Sequence, residues 1–158
     1  GIELTSTDQR FGGLSGLVVS EDGREIVAVS DRGWWVEGLL SYDDRGNLIG
    51  LGDAIILPMQ PLLQNGASRE FSMDAEALVR SGEDRLIVAF ERQHRLWEYR
   101  DSFSYPKPIR VDASLSRLPL NSGIESVVLL GAGKLLAIAE GGILEKQFRN
   151  KPSGLDFQ

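Results

Sequence analysis

The chain has no cysteine and only one histidine, His94, among its 158 residues. The first absence excludes disulfides, thiolate metal sites and a cysteine nucleophile. The second excludes a histidine-rich zinc site and leaves His94 as the only base on which a Ser-His-Asp triad could be built. No apolar run approaches the roughly 20 residues that a membrane-spanning helix needs. The longest candidate, KLLAIAEGGIL, is broken by charge and glycine. Basic residues are outnumbered, 17 Lys and Arg against 23 Asp and Glu, for a formal net charge of −6, and the arginines are scattered. That balance argues against nucleic acid or an anionic membrane as a partner, and an anionic substrate would need a local arginine group or a bound cation. What remains is a globular composition, 42% hydrophobic and 25% charged, at a length that suits one domain with its own core.

Three segments superimpose without gaps: SGLVVSEDGREIVAVSD (15–31), EALVRSGEDRLIVAFER (76–92) and ESVVLLGAGKLLAIAEG (125–141). Each runs polar residue, short Val/Ile/Leu-rich strand, Gly-containing turn, second strand, polar residue. Asp22-Gly23 suits a type I′ hairpin turn, and Glu83-Asp84 and Ala132-Gly133 would be its two-residue counterparts. WWVEGLLSY and RLWEYR read as third strands, NLIGLGDAIIL and PIRV as fourth strands, and GIELTS as a leading strand. Proline and glycine cluster between the units, at PMQPLLQNG and YPKP, where loops belong. No long amphipathic helix is visible. The expected fold is all-β, a β-propeller of four-stranded meander blades, with the whole of 1–158 forming one partial domain of about three blades. Half a ring requires either a second copy or the remainder of a longer polypeptide to close it.

Stepping outward from two-residue turns puts Glu76 opposite Glu91, Glu125 opposite Glu140 and Ser15 opposite Ser30; a four-residue loop would make each pair diagonal on the same face, and a three-residue bulged loop would break the pairing. Like charges placed directly opposite destabilise a sheet, so a shared proton, an arginine or a cation must offset them. Arg92 and Arg32 follow Glu91 and Asp31 and are candidates for that role. Asp74 and Asn121 add oxygen ligands next to Glu76 and Glu125. Carboxylate and amide oxygens without His or Cys suit a hard ion, calcium before zinc. The same glutamates could instead be a solvated rim, or a purely structural calcium site. His94, in the turn RQHR, reads as a solvated turn residue, and Trp34, Trp35 and Trp97 read as packing residues between blades. FGGLSG lacks the lysine and following helix of a phosphate loop, and GLSGL lacks the glycines of a nucleophile elbow.

RFGGLSGLVVSEDGREIVAVSDRGWW, DAEALVRSGEDRLIVAFERQHRLWEY and NSGIESVVLLGAGKLLAIAE together resemble the bacterial phytase-like propeller family, described as having esterase-like activity of phytase. The resemblance spans Gly1 to about Gly142. It implies a six-bladed-type propeller within a larger protein, periplasmic or secreted, related to calcium-dependent alkaline phytases. The family motifs map onto Ser30, Asp31 and Arg32, onto Asp74, Glu76, Glu91 and Arg92, and onto Asn121, Glu125 and Glu140. The resemblance implies a calcium-dependent phosphoester or ester hydrolase acting on a small anionic substrate. Asp74, Glu76, Glu91, Asn121, Glu125 and Glu140 would hold calcium, with Asp31, Arg32 and Arg92 at the reacting group. Two alternatives stay open: a non-catalytic propeller that binds a ligand or protein, and a lactonase of the gluconolactonase type. The first would lose stability but no turnover on calcium removal. The second would open lactones and release no phosphate.

Overall fold

A computed structural model describes residues 2–64, 66–68, 70–82, 84–111, 115–130, 134–140 and 148–149. The first sheet is built in sequence order from β1 (Leu14–Val19), β2 (Glu25–Ser30), β3 (Trp34–Tyr42) and β4 (Leu48–Pro58). A short hairpin, β5 (Leu63–Gln64) with β6 (Ala67–Ser68), lies in the connection to the second sheet. That sheet comprises β7 (Ala75–Arg80), β8 (Leu86–Phe90), β9 (Arg95–Tyr99) and β10 (Lys107–Ile109), again a meander. After a 3-10 turn at Leu115–Arg117, β11 (Ile124–Leu130), β12 (Lys134–Ala139) and β13 (Phe148–Arg149) form the third sheet. Every pairing within the three meanders is antiparallel. No described helix is long and apolar enough to cross a membrane.

The first strands of the three sheets lie side by side, β1 against β7 and β7 against β11. The middle sheet is therefore covered on both faces, which is why β8, LIVAF, is buried at every position and reads as an unbroken apolar run. One core, between the first two sheets, gathers Val29, Trp35, Leu78, Val88, Phe90, Trp97 and Tyr99. The other, between the second and third, gathers Ala77, Ile87, Ala89, Leu96, Ile124, Val127 and Leu135. Trp35 stands edge-on to Tyr99 with ring centroids 5.2 Å apart, and Trp97 packs on Phe71 and Phe90 at 5.0 and 4.9 Å. A cation sits in the same cluster. The Arg95 guanidinium carbon lies 4.1 Å from the Phe90 ring centre and 4.2 Å from that of Trp97. Arg95 donates to the carbonyls of Ser72 and Gln93, and burial lowers its pKa to about 10, which leaves it protonated at neutral pH. The closest backbone approach falls at Gly16, where a Cβ would stand 2.7 Å from the Leu78 amide nitrogen. Only glycine fits there.

Several turn expectations are corrected. The first hairpin closes through a four-residue loop, 21–24, because the Ser20 amide donates to the Glu25 carbonyl and Gly23 takes a φ of +74°. Asp22-Gly23 is therefore not a two-residue I′ turn. In the second hairpin Ser81 pairs with Arg85, leaving three residues between them; Glu83 of the expected turn lies outside the described residues. Ala132 and Gly133 also lie outside them, while the pairing of Leu130 with Lys134 again leaves three residues in the loop. The leading segment, described from Ile2, forms no strand. It is tied to the first sheet instead by Arg10, whose side chain donates to the Ile56 carbonyl of β4 at 3.4 Å.

Candidate functional site

The site begins with a bulge. β1, β7 and β11 each carry one extra residue at their second position, between Leu14 and Gly16, Ala75 and Ala77, and Ile124 and Ser126. The extra residues are Ser15, Glu76 and Glu125. A three-residue hairpin loop shifts pairing by one, and alone it would set Glu76 opposite Phe90, on the face away from Glu91. The bulge restores the parity. Glu91 then pairs with Asp74, through an amide-to-carbonyl bond of 2.9 Å, and Glu140 pairs likewise with Gly123 at 3.1 Å. The expected direct opposition of Glu76 to Glu91 and of Glu125 to Glu140 is thus replaced by a bulged arrangement that still gathers them. In the first sheet the same bond joins the Asp31 amide to the Gly13 carbonyl at 2.8 Å. Asp31, Glu91 and Glu140 therefore hold equivalent stations, whereas the gap-free alignment had put Ser30 there.

The carboxylates converge in two overlapping groups. Oxygens of Asp74, Glu76 and Glu91 lie within 4.8 Å of one another, and so do oxygens of Glu91, Glu125 and Glu140. Glu91 belongs to both. Its side chain crosses to the third sheet and accepts a hydrogen bond from the Gly123 amide at 3.2 Å. A Cβ at Gly123 would lie 2.8 Å from Glu91 Cγ, so the glycine makes room for that crossing. Arg92 supplies one counter-charge, donating from Nε to Asp74 Oδ2 at 2.7 Å. It does so from the left-handed region, with φ at 62°, an uncommon conformation for a side-chain-bearing residue. The Asp74 carboxylate beside it raises the arginine's own pKa.

A proton supplies the other offset. Burial above all, then the charge of Asp74 and of Glu125, a hydrogen bond to Asp74 and the charge of Glu91 push the Glu76 carboxyl up to about 7. Glu125 is raised as well, by burial first and then by Glu140 and Glu91. The folded chain thus holds a proton on Glu76 that the unfolded chain releases near its ordinary 4.5. Stability from this group is present in full below about 4.5 and is lost as pH rises through about 7. Glu76→Gln keeps a donor for Asp74 but cannot ionise. In calcium-free buffer its melting midpoint should match wild type at pH 5 and exceed it at pH 8. Relief of one facing pair is worth about 0.2–1 kcal/mol, or up to about 4 °C at this chain length. Equal midpoints at both pH values would refute the shared-proton account.

The remaining sequence candidates are placed less centrally. Asp31 and Arg32 are exposed and contact each other at 3.9 Å; among the described residues no contact joins them to the two acidic groups. Ser30 is buried and caps the following turn, its Oγ accepting from the amides of Arg32 and Trp34. Asn121 is exposed in the turn before β11, and among the described residues no hydrogen bond joins it to the carboxylates. His94 is half-buried rather than solvated. Its Nε2 lies 2.8 Å from the Pro119 carbonyl and so carries the proton, tying the turn after β8 to the segment before β11. Ser15 Oγ, at the first bulge, donates to the Ala75 carbonyl and holds β1 against β7.

No curated protein matches the chain. The phytase-like family model, described as esterase-like activity of phytase, matches residues 9–155, which takes in all three sheets and every carboxylate of the site. The chain belongs to the phytase-like family.

Proposed function

We propose that the chain is part of a calcium-dependent hydrolase of small anionic esters, phosphoesters foremost, and that its three sheets are consecutive blades of a propeller in an exported protein. The observation that carries this reading is the convergence of five carboxylates from two adjoining sheets, with no nitrogen or sulfur donor among them, beside an exposed arginine. Such an oxygen-only set fits a hard cation. Asp74, Glu76, Glu91, Glu125 and Glu140 would hold it. Calcium bound there would supply positive charge against the substrate's anionic oxygens and against the charge that develops on the transferred group. Among the described residues Arg92 bonds Asp74 through Nε, and its terminal nitrogens would bind an anionic oxygen of the substrate. Asp31 and Arg32, at the equivalent station of the first sheet, would bind a more distant part of the substrate. Protons and calcium compete for Glu76, so affinity should fall as pH drops through about 7.

The test compares hydrolysis of an aryl phosphate, an aryl carboxylate ester and a lactone, with calcium and with a chelator. Calcium-dependent phosphate release, lost in Arg92→Ala by at least about tenfold in kcat/KM, supports the proposal. Lactone opening without phosphate release would replace it with the gluconolactonase-type reading. A calcium-dependent rise in melting temperature with no turnover of any substrate would replace it with a binding module.

A further inference from the structure

The turn that carries Glu91 and Arg92 is built differently from its counterpart in the first sheet. In the first sheet the left-handed position falls on a glycine, Gly33, with φ at 78°. The Ser30 hydroxyl caps that turn by accepting from the amides of Arg32 and Trp34. In the second sheet the left-handed position falls on Arg92, with φ at 62°, and the Gln93 amide donates to the Glu91 carbonyl at 2.7 Å. A hydrogen bond from residue i+2 back to residue i, around a positive φ, marks the rare and strained form of the γ-turn. Asp31 and Glu91 hold equivalent stations, so Phe90 stands where Ser30 does and brings no hydroxyl to cap the turn. A side chain in this region persists only where its surroundings over-determine the backbone.

Arg95 supplies those surroundings. Its Nη1 donates to the Gln93 carbonyl at 2.8 Å and its Nη2 to the Ser72 carbonyl at 2.6 Å. The first carbonyl belongs to the strained turn; the second lies two residues before Asp74. Gln93 completes the tie, its Oε1 accepting from the Ser72 amide at 3.1 Å. The ring centres of Phe90, Trp97 and Phe71 stand 4.1, 4.2 and 5.0 Å from the guanidinium carbon and hold the group in place. We infer that Arg95 is a positioning residue, which locks the Arg92 turn to the segment carrying Asp74 and so presents Arg92 to an anionic substrate. The inference rests on the reading of Arg92 as the group that binds that substrate. Packing alone does not account for an arginine here. A space walled by three rings would take a methionine with no charge to desolvate. A lysine ammonium lacks both the flat face that stacks on the rings and the fixed fork that spans two carbonyls.

Amide hydrogen exchange and substrate kinetics on Arg95→Met and Arg95→Lys test the two halves of this inference separately. The Ser72 and Gln93 amides should exchange faster than in wild type, by at least about tenfold more than any change at Val88 and Leu96 in the strands. The ratio of kcat/KM for an aryl phosphate to that for a neutral aryl acetate should fall by at least about fivefold, because a displaced Arg92 penalises the anion and spares the neutral ester. If the methionine variant does not fold, the lysine variant, which keeps the charge, carries both measurements. Unchanged exchange at Ser72 and Gln93 would overturn the inference. So would one common acceleration of all four amides, the mark of a purely structural residue. An unchanged substrate ratio beside accelerated turn amides would overturn it as well. A wild type that hydrolyses neither substrate would end the hydrolase reading instead, and the exchange pattern alone would then decide whether Arg95 fixes the turn.

Discussion

Glu91→Gln should weaken calcium binding more than any other single carboxylate change, by at least about tenfold, or roughly 1.4 kcal/mol. The reason is positional. Glu91 is the one residue whose oxygens lie in both acidic groups, so neutralising it removes a donor from each, whereas Glu76 and Glu140 each serve one. Glutamine keeps the carbonyl oxygen that accepts from the Gly123 amide, so the bond that steers the side chain across to the third sheet survives. The loss should therefore appear in affinity with little change in melting temperature. Calorimetric titration of calcium at pH 7.5 into wild type, Glu91→Gln and the remote Glu37→Gln measures it. Equal affinities for the first two would remove the metal assignment, and an equal loss in the third would reduce it to bulk charge.

The largest expected effect on stability comes from Trp97→Ala, at about 3–5 kcal/mol. Trp97 is 2% exposed, touches Phe71, Phe90 and Tyr99, and forms one wall around the Arg95 guanidinium. Truncation leaves a void against a buried cation, which loses both packing and a ring face. Equilibrium unfolding in urea should show a midpoint lower by about 1–5 M, given typical slopes of 1–3 kcal/mol per molar. Trp97→Phe should recover part of the loss. An unchanged midpoint would mean that the core between the first two sheets contributes less than its burial implies.

The hairpins were legible in the sequence because short Val/Ile/Leu runs, bounded by glycine and charge, leave few alternatives. The third strand expected at WWVEGLLSY is β3 residue for residue. Register was less legible. Loop lengths of three and four residues look alike in EDGR and GED, and a bulge leaves no compositional mark, so two one-residue shifts cancelled unseen in the second and third hairpins. The first hairpin shows the cost. Alignment on the opening strands matched Ser30 to Glu91 and Glu140, whereas alignment on the closing motifs AVSD, VAFE and AIAE would have found Asp31. The crossing of Glu91 to the third sheet could not be read at all, because it depends on how separate meanders pack. GIELTS alternates like a strand, but no sequence pattern says whether a segment finds a partner edge, and this one is held by an arginine side chain instead.

The bulge at the second position of each inner strand also separates two kinds of selection. Residues beyond it keep strict alternation and must stay apolar to fill the cores, as Leu78 and Val127 do. The bulged residue itself sits outside that alternation. It can change from glutamate, as at Glu76 and Glu125, to serine, as at Ser15, without moving a single core side chain to the wrong face. Each sheet is in this sense a fixed socket with an exchangeable fitting, and the number of acidic fittings around the array sets how much positive charge it can accept. Sequences built on the same socket could drift between binding a cation and merely packing, at almost no cost to folding.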